Sequence, residues 1–367
     1  MKIPFVDLKM QYNSIKEEVL ETIGNVMENS AFIGGSFVEK FESEFKEFCG
    51  TKYCIGVGNG TDAIFIALKM LGLGPGDEVI TAANSFIATS EAISLTGAKV
   101  IFCDVSEVTR NLDPDLISDK ITDKTRAIVP VHLYGQPADM DRIVEIADKN
   151  NLYIVQDCAQ AHGAKYKGKS VGTSGNIACF SFYPGKNLGA YGDGGAIVTD
   201  NEDLEKKIRM YANHGRSEKY NHEFEGVNSR LDSIQAAILS VKLKHLEEWN
   251  FKRITNARIY NEKLKGIGDV ITPVIPDKWD HVFHLYVIRS KERDRLKKFL
   301  ADNNIFCGIH YPIALPNLRA YSYLNHKPGD FPVSSELQDE ILSLPMFPEL
   351  TEEQIEYVAD MIKEFFS

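Results

Sequence analysis

Leu152-Tyr153-Ile154-Val155-Gln156-Asp157-Cys158-Ala159-Gln160-Ala161-His162 is the stretch on which the fold turns. A short apolar run, shorter than most helices, ends in an acid and then in small residues. That is the pattern of a strand buried on both faces. Six further runs of this kind lie to either side: Tyr53–Val57, Glu78–Thr81, Val100–Asp104, Ala127–Val131, Ala178–Phe182 and Ala196–Thr199. Helical patterns such as Asp62–Leu71 and Met140–Asn150 separate several of them. Strands alternating with helices predict an α/β fold, a mainly parallel central sheet flanked by helices. Sites in such sheets collect at the carboxyl ends of the strands, which is where Asp157 stands.

Farther out, an amphipathic helix is predicted over Ser233–Trp249 and a second over Lys252–Leu264, followed by a Gly- and Pro-containing break at 266–276. The remainder reads as a smaller C-terminal α/β unit. It has a strand at Val282–Ile288, a helix at Arg293–Asn303, a proline-rich loop and a final helix at Glu352–Phe366. A chain of 367 residues exceeds what one core usually supports. We therefore expect a large domain over 1–250, with an N-terminal helical arm, and a small domain over 251–367.

Apolar residues make up 44% and charged residues 25%, ordinary for a globular chain and wrong for a disordered one. The net charge of −11 argues against nucleic acid as a partner, because phosphate backbones reward excess Lys and Arg. It leaves room for a small phosphorylated ligand, which needs only a local positive patch. The start, Met1–Asp7, lacks the pattern of a secretory signal, and no apolar run approaches the ~20 residues needed to cross a bilayer. The six cysteines show neither a CxxC pair nor zinc spacing, so they read as reduced, packed thiols with no metal role. The expected compartment is the cytoplasm, with no membrane contact.

Three segments could carry chemistry. Val57-Gly58-Asn59-Gly60-Thr61-Asp62-Ala63 joins a strand to a helix, and such a turn points backbone N–H groups at an anion. It equally reads as an ordinary helix cap, and its glycines miss the GxGxxG pattern of dinucleotide sites. Asp157 either caps the following turn or holds a protonated ring nitrogen. In Cys179-Phe180-Ser181-Phe182-Tyr183-Pro184-Gly185-Lys186-Asn187, a strand delivers a hydroxyl and then a lysine into apolar, Gly-rich surroundings. Most loop lysines are solvated, but a desolvated one loses its proton more easily and can condense with a carbonyl. Ser181 could bind a phosphate. Phe86 is a core aromatic by default, although its place after a strand also suits a ring stacked on a ligand. The loop from His214 to Arg230 and the segment Gly308–Pro312 are polar and ambiguous.

Taken in order, these pieces resemble the DegT/DnrJ/StrS sugar aminotransferases, fold-type I enzymes that depend on pyridoxal 5'-phosphate (PLP). The resemblance runs from Phe5-Val6-Asp7-Leu8 with Gln11-Tyr12, through Asn59–Ala63 and His132-Leu133-Tyr134-Gly135-Gln136, to Asp157–Gly163, Phe180–Asn187 and Asn228–Leu231. It implies that Lys186 is the Schiff-base lysine and proton carrier and that Asp157 partners the pyridine nitrogen. It also implies that Gln160 lies beside the ring hydroxyl and that Phe86 stacks on the ring. Gly60, Thr61 and Asp62 with Ser181 would cradle the phosphate. Asn228 would reach the phosphate of the neighbouring subunit, so a homodimer with shared active sites is expected. Tyr183, Lys219, Arg230, His310 and Tyr311 are candidate substrate contacts.

The resemblance implies an amino group moved from L-glutamate, leaving 2-oxoglutarate, onto a nucleotide-linked keto sugar. Phe5–Tyr12 and His132–Met140 look most like the branch acting at C-3 of dTDP-3-keto-6-deoxyhexoses. A UDP-linked 3-keto sugar acid and a 4-keto sugar are the alternatives. Related sugar dehydratases carry His at the lysine position, and Lys186 argues against that reading. The presence of Lys186, Asp157 and Asn228 together argues against a non-catalytic nucleotide-binding protein. Two departures from the family pattern are Ala82, where proline is common, and Ala314-Leu315-Pro316-Asn317, where a His-containing segment often follows Tyr-Pro.

Overall fold

A computed structural model describes the backbone of residues 1–367 and the side chains of all but residue 328. Seven strands form the central sheet: β1 (Tyr53–Val57), β2 (Glu78–Ala82), β3 (Lys99–Cys103), β4 (Thr125–Val129), β5 (Tyr153–Asp157), β6 (Ile177–Ser181) and β7 (Gly195–Thr199). Their order is β1-β7-β6-β5-β4-β2-β3. Strands β3, β2, β4, β5 and β6 pair in parallel, while β7 runs antiparallel to both β1 and β6. Each strand matches its expected span to within one or two residues. The expected α/β fold with a mainly parallel sheet is the one observed.

Helices cover both faces. On one side lies α2 (Ser36–Cys49), whose Val38, Phe41, Phe45 and Cys49 recur at helical spacing and are buried. Phe45 meets Phe180 and Phe182 edge to face, with ring centroids 5.0 and 5.3 Å apart. Each such fully buried ring contributes roughly 2–3 kcal/mol. On the other side, α3 (Gly60–Met70) and α4 (Ile87–Leu95) bury Ile64, Ile66, Ala92 and Ile93 against β1–β4. The α3 helix begins where it does because the Asn59 side chain accepts the Asp62 N–H at 2.8 Å. Also present are α1 (Leu8–Glu28), α5 (Met140–Asn150) and α6 (Glu202–Tyr211).

Three expectations need correction. The helix predicted over Ser233–Trp249 is two elements, α7 (Ser233–Leu243) and α8 (Leu246–Lys263), the second continuing through the helix expected at Lys252–Leu264. The hydrophobic pattern is continuous, yet α7 is buried nearly all round, down to Lys242, and the chain turns at 244–245. Residue 250 therefore falls inside α8. The strand predicted at Val282–Ile288 is only β8 (Tyr286–Arg289). Val282 and Leu285 instead give their N–H groups to the carbonyls of Gly135 and Tyr134, at 3.0 and 3.2 Å. Within the proline-rich segment lie a helix, α10 (Pro332–Glu340), and a strand, β9 (Ile341–Leu344), which pairs antiparallel with β8.

The helices α9 (Arg293–Asp302) and α11 (Glu352–Phe366) pack around that two-stranded ribbon. Their core holds Tyr260, Tyr286, Leu296, Leu344, Phe347 and Ile362, with Ile3 from the N-terminus. All six cysteines are free thiols, five buried and Cys307 partly so. No helix among the described residues is long and apolar enough to cross a membrane.

Candidate active site

Strands β5 and β6 end side by side and deliver Asp157 and Ser181 to one cleft, to which the loop after β6 adds Lys186. The cavity measures about 850 Å³. It spans the large sheet on one side and His284, His310 and Tyr311 on the other.

At one end stands the N-terminus of α3. Asp62 gives its N–H to Asn59, but the N–H groups of Gly60 and Thr61 have no partner among the described residues. Both residues line the cavity. Their free donors and the helix dipole make an anion site. Ser181 lies against it so closely that a Cβ on Gly60 would come within 2.6 Å of the Ser181 Cβ and 3.1 Å of its Cα. Only glycine lets the helix start this near the hydroxyl. The Asp62 carboxylate accepts Ser229 Oγ at 2.7 Å, and that hydroxyl accepts the Gly58 N–H at 3.0 Å, so Asp62 acts on the loop beside Asn228.

Deeper in the cleft, Asp157 is 5% exposed. Its Oδ2 accepts Thr89 Oγ1 at 2.6 Å and its Oδ1 accepts the Ala159 N–H at 3.0 Å. Burial raises its pKa; the Thr89 and Ala159 hydrogen bonds and the Lys186 charge pull the other way. A buried carboxylate in that balance is completed by a cation. The Lys186 amine makes no hydrogen bond or ion pair among the described residues, although it lies close enough to sense Asp157. Burial lowers its pKa to about 8, Asp157 opposing the shift, so a sizeable fraction is neutral near physiological pH. The residue as a whole is half-buried because its chain borders the cleft; the shift reflects the protein packed around the amine.

Gln160 is held at both ends of its amide. Its Oε1 accepts the Tyr134 N–H at 2.6 Å, and its Nε2 donates to Tyr311 Oη at 3.0 Å. The Tyr134 hydroxyl in turn reaches the His310 carbonyl. Phe86, at the start of α4, is 51% exposed, its ring 5.6 Å from that of Tyr311. His310 stacks on Phe5 at 5.4 Å and bonds Ser343 through Nδ1. Burial and Lys186 lower the His310 pKa to about 4, leaving the ring neutral. Tyr183 lines the cavity and is mostly exposed.

Three candidates lie outside the cavity of this chain. Asn228 and Lys219 are exposed, and Arg230 donates to Asn213 Oδ1 at 3.3 Å. Ala314–Asn317 is also elsewhere, its Ala314 and Leu315 N–H groups taken by Gln338 and the Ala83 carbonyl. The sequence reading missed Thr89, His284 and Arg253. Thr89 carries no motif, and the other two sit in segments read only for secondary structure.

The residues fit PLP. Free amides and a hydroxyl suit its phosphate, a buried acid its ring nitrogen, an exposed aromatic its ring face, and an unpaired, easily deprotonated amine its aldehyde. The model of the DegT/DnrJ/EryC1/StrS aminotransferase family matches residues 13–363. A Geobacillus stearothermophilus protein described as a pleiotropic regulatory protein is 47% identical, covering 100% of this chain and 99% of its own. The dTDP-3-amino-3,6-dideoxy-alpha-D-galactopyranose transaminase of Aneurinibacillus thermoaerophilus is 44% identical, covering 99% of both. A crystal structure of DesV from Streptomyces venezuelae superposes with a TM-score of 0.98 at 42% identity, covering 100% of this chain and 99% of that one. The chain belongs to the DegT/DnrJ/EryC1/StrS aminotransferase family, and it is a PLP-dependent sugar aminotransferase.

Proposed function

We propose that this cleft moves an amino group from L-glutamate to C-3 of a dTDP-linked 3-keto-6-deoxyhexose. When bound, PLP supplies an aldehyde carbon that takes the amino group and a ring that withdraws electrons from the reacting carbon. The chain's residues do the rest. Lys186 would anchor the aldehyde and, once displaced by the donor amine, would carry a proton on its Nζ from the donor carbon to the former aldehyde carbon. Positioned proton transfer of this sort typically contributes ~10²–10⁴-fold. Asp157, steadied by Thr89, keeps the ring nitrogen protonated. Gly60, Thr61 and Ser181 hold the phosphate, and Phe86 covers one ring face. Gln160 faces the ring hydroxyl from a position set by Tyr134 and Tyr311.

The observation that carries the reaction class is Lys186: an amine in the cleft, its pKa lowered to about 8 by burial, with no hydrogen-bond or ion-pair partner among the described residues. The sugar rests on the similarity to the dTDP-3-amino-3,6-dideoxy-alpha-D-galactopyranose transaminase of Aneurinibacillus thermoaerophilus. Asn228 lies on an exposed loop beside Ser229 and Asp62, which supports a second subunit completing the site. The test is to supply glutamate with a panel of dTDP- and UDP-keto sugars and locate the new C–N bond by NMR. Amination at C-3 of the dTDP sugar is expected; exclusive amination at C-4 would refute the branch while leaving the reaction class standing.

A further inference from the structure

A second cavity, apart from the cleft, is bordered by a buried cation without a counter-charge. Arg110 follows β3 in a turn, its own N–H on the Ser106 carbonyl at 2.7 Å, and is 5% exposed. Its Nη1 donates to the Val287 carbonyl at 2.7 Å. Nε and Nη2 have no hydrogen-bond partner among the described residues, and no carboxylate there lies within ion-pair distance. Neither nitrogen is sealed off, and the residue borders a cavity of about 10 Å³, room for about one water-sized sphere. Nε and Nη2 share one edge of the planar guanidinium, so both donors serve a single acceptor.

Burial lowers the Arg110 pKa to about 10, which leaves the group charged at physiological pH. No carboxylate acts on it. Arg289 does, with like sign, and is itself engaged by Glu107, Glu336 and Glu340 at 3.1, 2.9 and 2.8 Å. Tyr134 and Tyr286 are the other neighbours that act on it, and burial raises the pKa of both phenols, keeping them neutral. His281 also borders the cavity. Its Nδ1 accepts the Phe283 N–H at 2.9 Å, so Nε2 carries the ring proton, and burial with the Arg110 charge lowers its pKa to about 3. The ring is a neutral donor. Gln136 gives an amide N–H to the Val274 carbonyl at 3.1 Å, and Val108 and Leu285 add apolar wall. A water would meet the hydrogen bonds of Arg110 but not its charge, and a buried charge is costly unless paired.

We infer that this cavity binds a monatomic anion of halide size, such as chloride, on the free edge of Arg110. The volume excludes a carboxylate or phosphate. The site also joins two parts of the chain. Arg110, Tyr134 and Gln136 come from segments beside the large sheet, and Val274, His281 and Val287 from the C-terminal part. Tyr134 in turn gives its N–H to Gln160 at 2.6 Å and its hydroxyl to the His310 carbonyl, both at the cleft. An anion on Arg110 thus fastens, from outside, the junction on which one wall of the cleft hangs.

Crystals of the PLP-loaded enzyme grown with bromide in place of chloride, and measured above the bromine absorption edge, locate the ion. An anomalous peak beside Arg110 is expected; density there without anomalous signal is a water and overturns the assignment. Because crystals hold bromide at high concentration, a second measurement is made in solution. The PLP-loaded enzyme is melted in chloride and in gluconate, which is too large for the cavity, at equal ionic strength and pH. Chloride should raise the Tm saturably, by on the order of 2 °C at about ten times the dissociation constant. Arg110→Met should abolish that dependence. A bromide peak without a saturable shift means binding at crystal concentration only, and the inference falls. It falls too if the chloride shift survives in Arg110→Met. Should that variant fail to fold, the bromide peak and the saturable wild-type shift still decide between ion and water.

Discussion

Lys186 and Asp157 were legible in the sequence because each ends an apolar strand or follows one within a Gly-rich turn, an unusual place for a charge. The residues that tune them were not. Thr89 is an ordinary helical threonine until folding brings it 2.6 Å from Asp157, 68 positions away. Arg253 and His284 belong to elements whose patterns speak only of packing. Two outcomes follow at this scale. Asp157→Asn removes the charge that keeps the ring nitrogen protonated and should lower kcat by about 100-fold or more, with the cofactor still bound; steady-state kinetics and cofactor absorbance check both. The second concerns pH. Lys186 has a folded pKa of about 8, below its ordinary value of 10.5, so between these the unfolded chain binds more protons. Cofactor-free protein should thus gain stability from this residue as pH rises through that window, and below pH 8 the buried charge is a full penalty. Lys186→Met should then stabilise the cofactor-free protein near pH 7 by on the order of 1–3 kcal/mol, the difference shrinking above pH 8, as read by denaturant titration.

Elements built from local periodicity came out close to expectation, and those set by distant contacts did not. The seven strands of the sheet carry their own apolar runs, and α11 its own capping box at Thr351 and Gln354. By contrast, α10 begins on Phe331-Pro332 without a local cap. Its first N–H groups, of Val333 and Ser334, are accepted by Asp104, 229 and 230 residues earlier, at 2.9 and 3.0 Å. No window of sequence contains that cap. Asp104→Ala should cost about 1–3 kcal/mol, since it leaves buried donors unpaired, and denaturant titration would show it as a shifted midpoint with unchanged slope. The Gly60→Ala change tests the other end of the fold. Its Cβ would strike the Ser181 backbone and side chain, driving α3 from β6, so PLP affinity should fall at least ~10-fold by fluorescence titration. Unchanged affinity would mean that the phosphate is held elsewhere.

For the whole molecule, length and the change of pattern after residue 250 pointed to a second unit, and the C-terminal core around Tyr260, Leu344 and Ile362 has its own apolar cluster. If sites are shared between subunits, Lys186→Ala and Asn228→Asp homodimers should each be nearly inactive. Mixed and re-equilibrated, they should regain activity, because one site of the hybrid has both residues intact. No regain would place Asn228 in its own subunit's chemistry or outside it altogether. The most direct test of the central claim is chemical. Borohydride reduction of the PLP-loaded enzyme, followed by proteolysis and mass spectrometry, should place the pyridoxyl group on the peptide bearing Lys186. A pyridoxyl group on any other lysine, the buried Lys242 included, or on none, would contradict it.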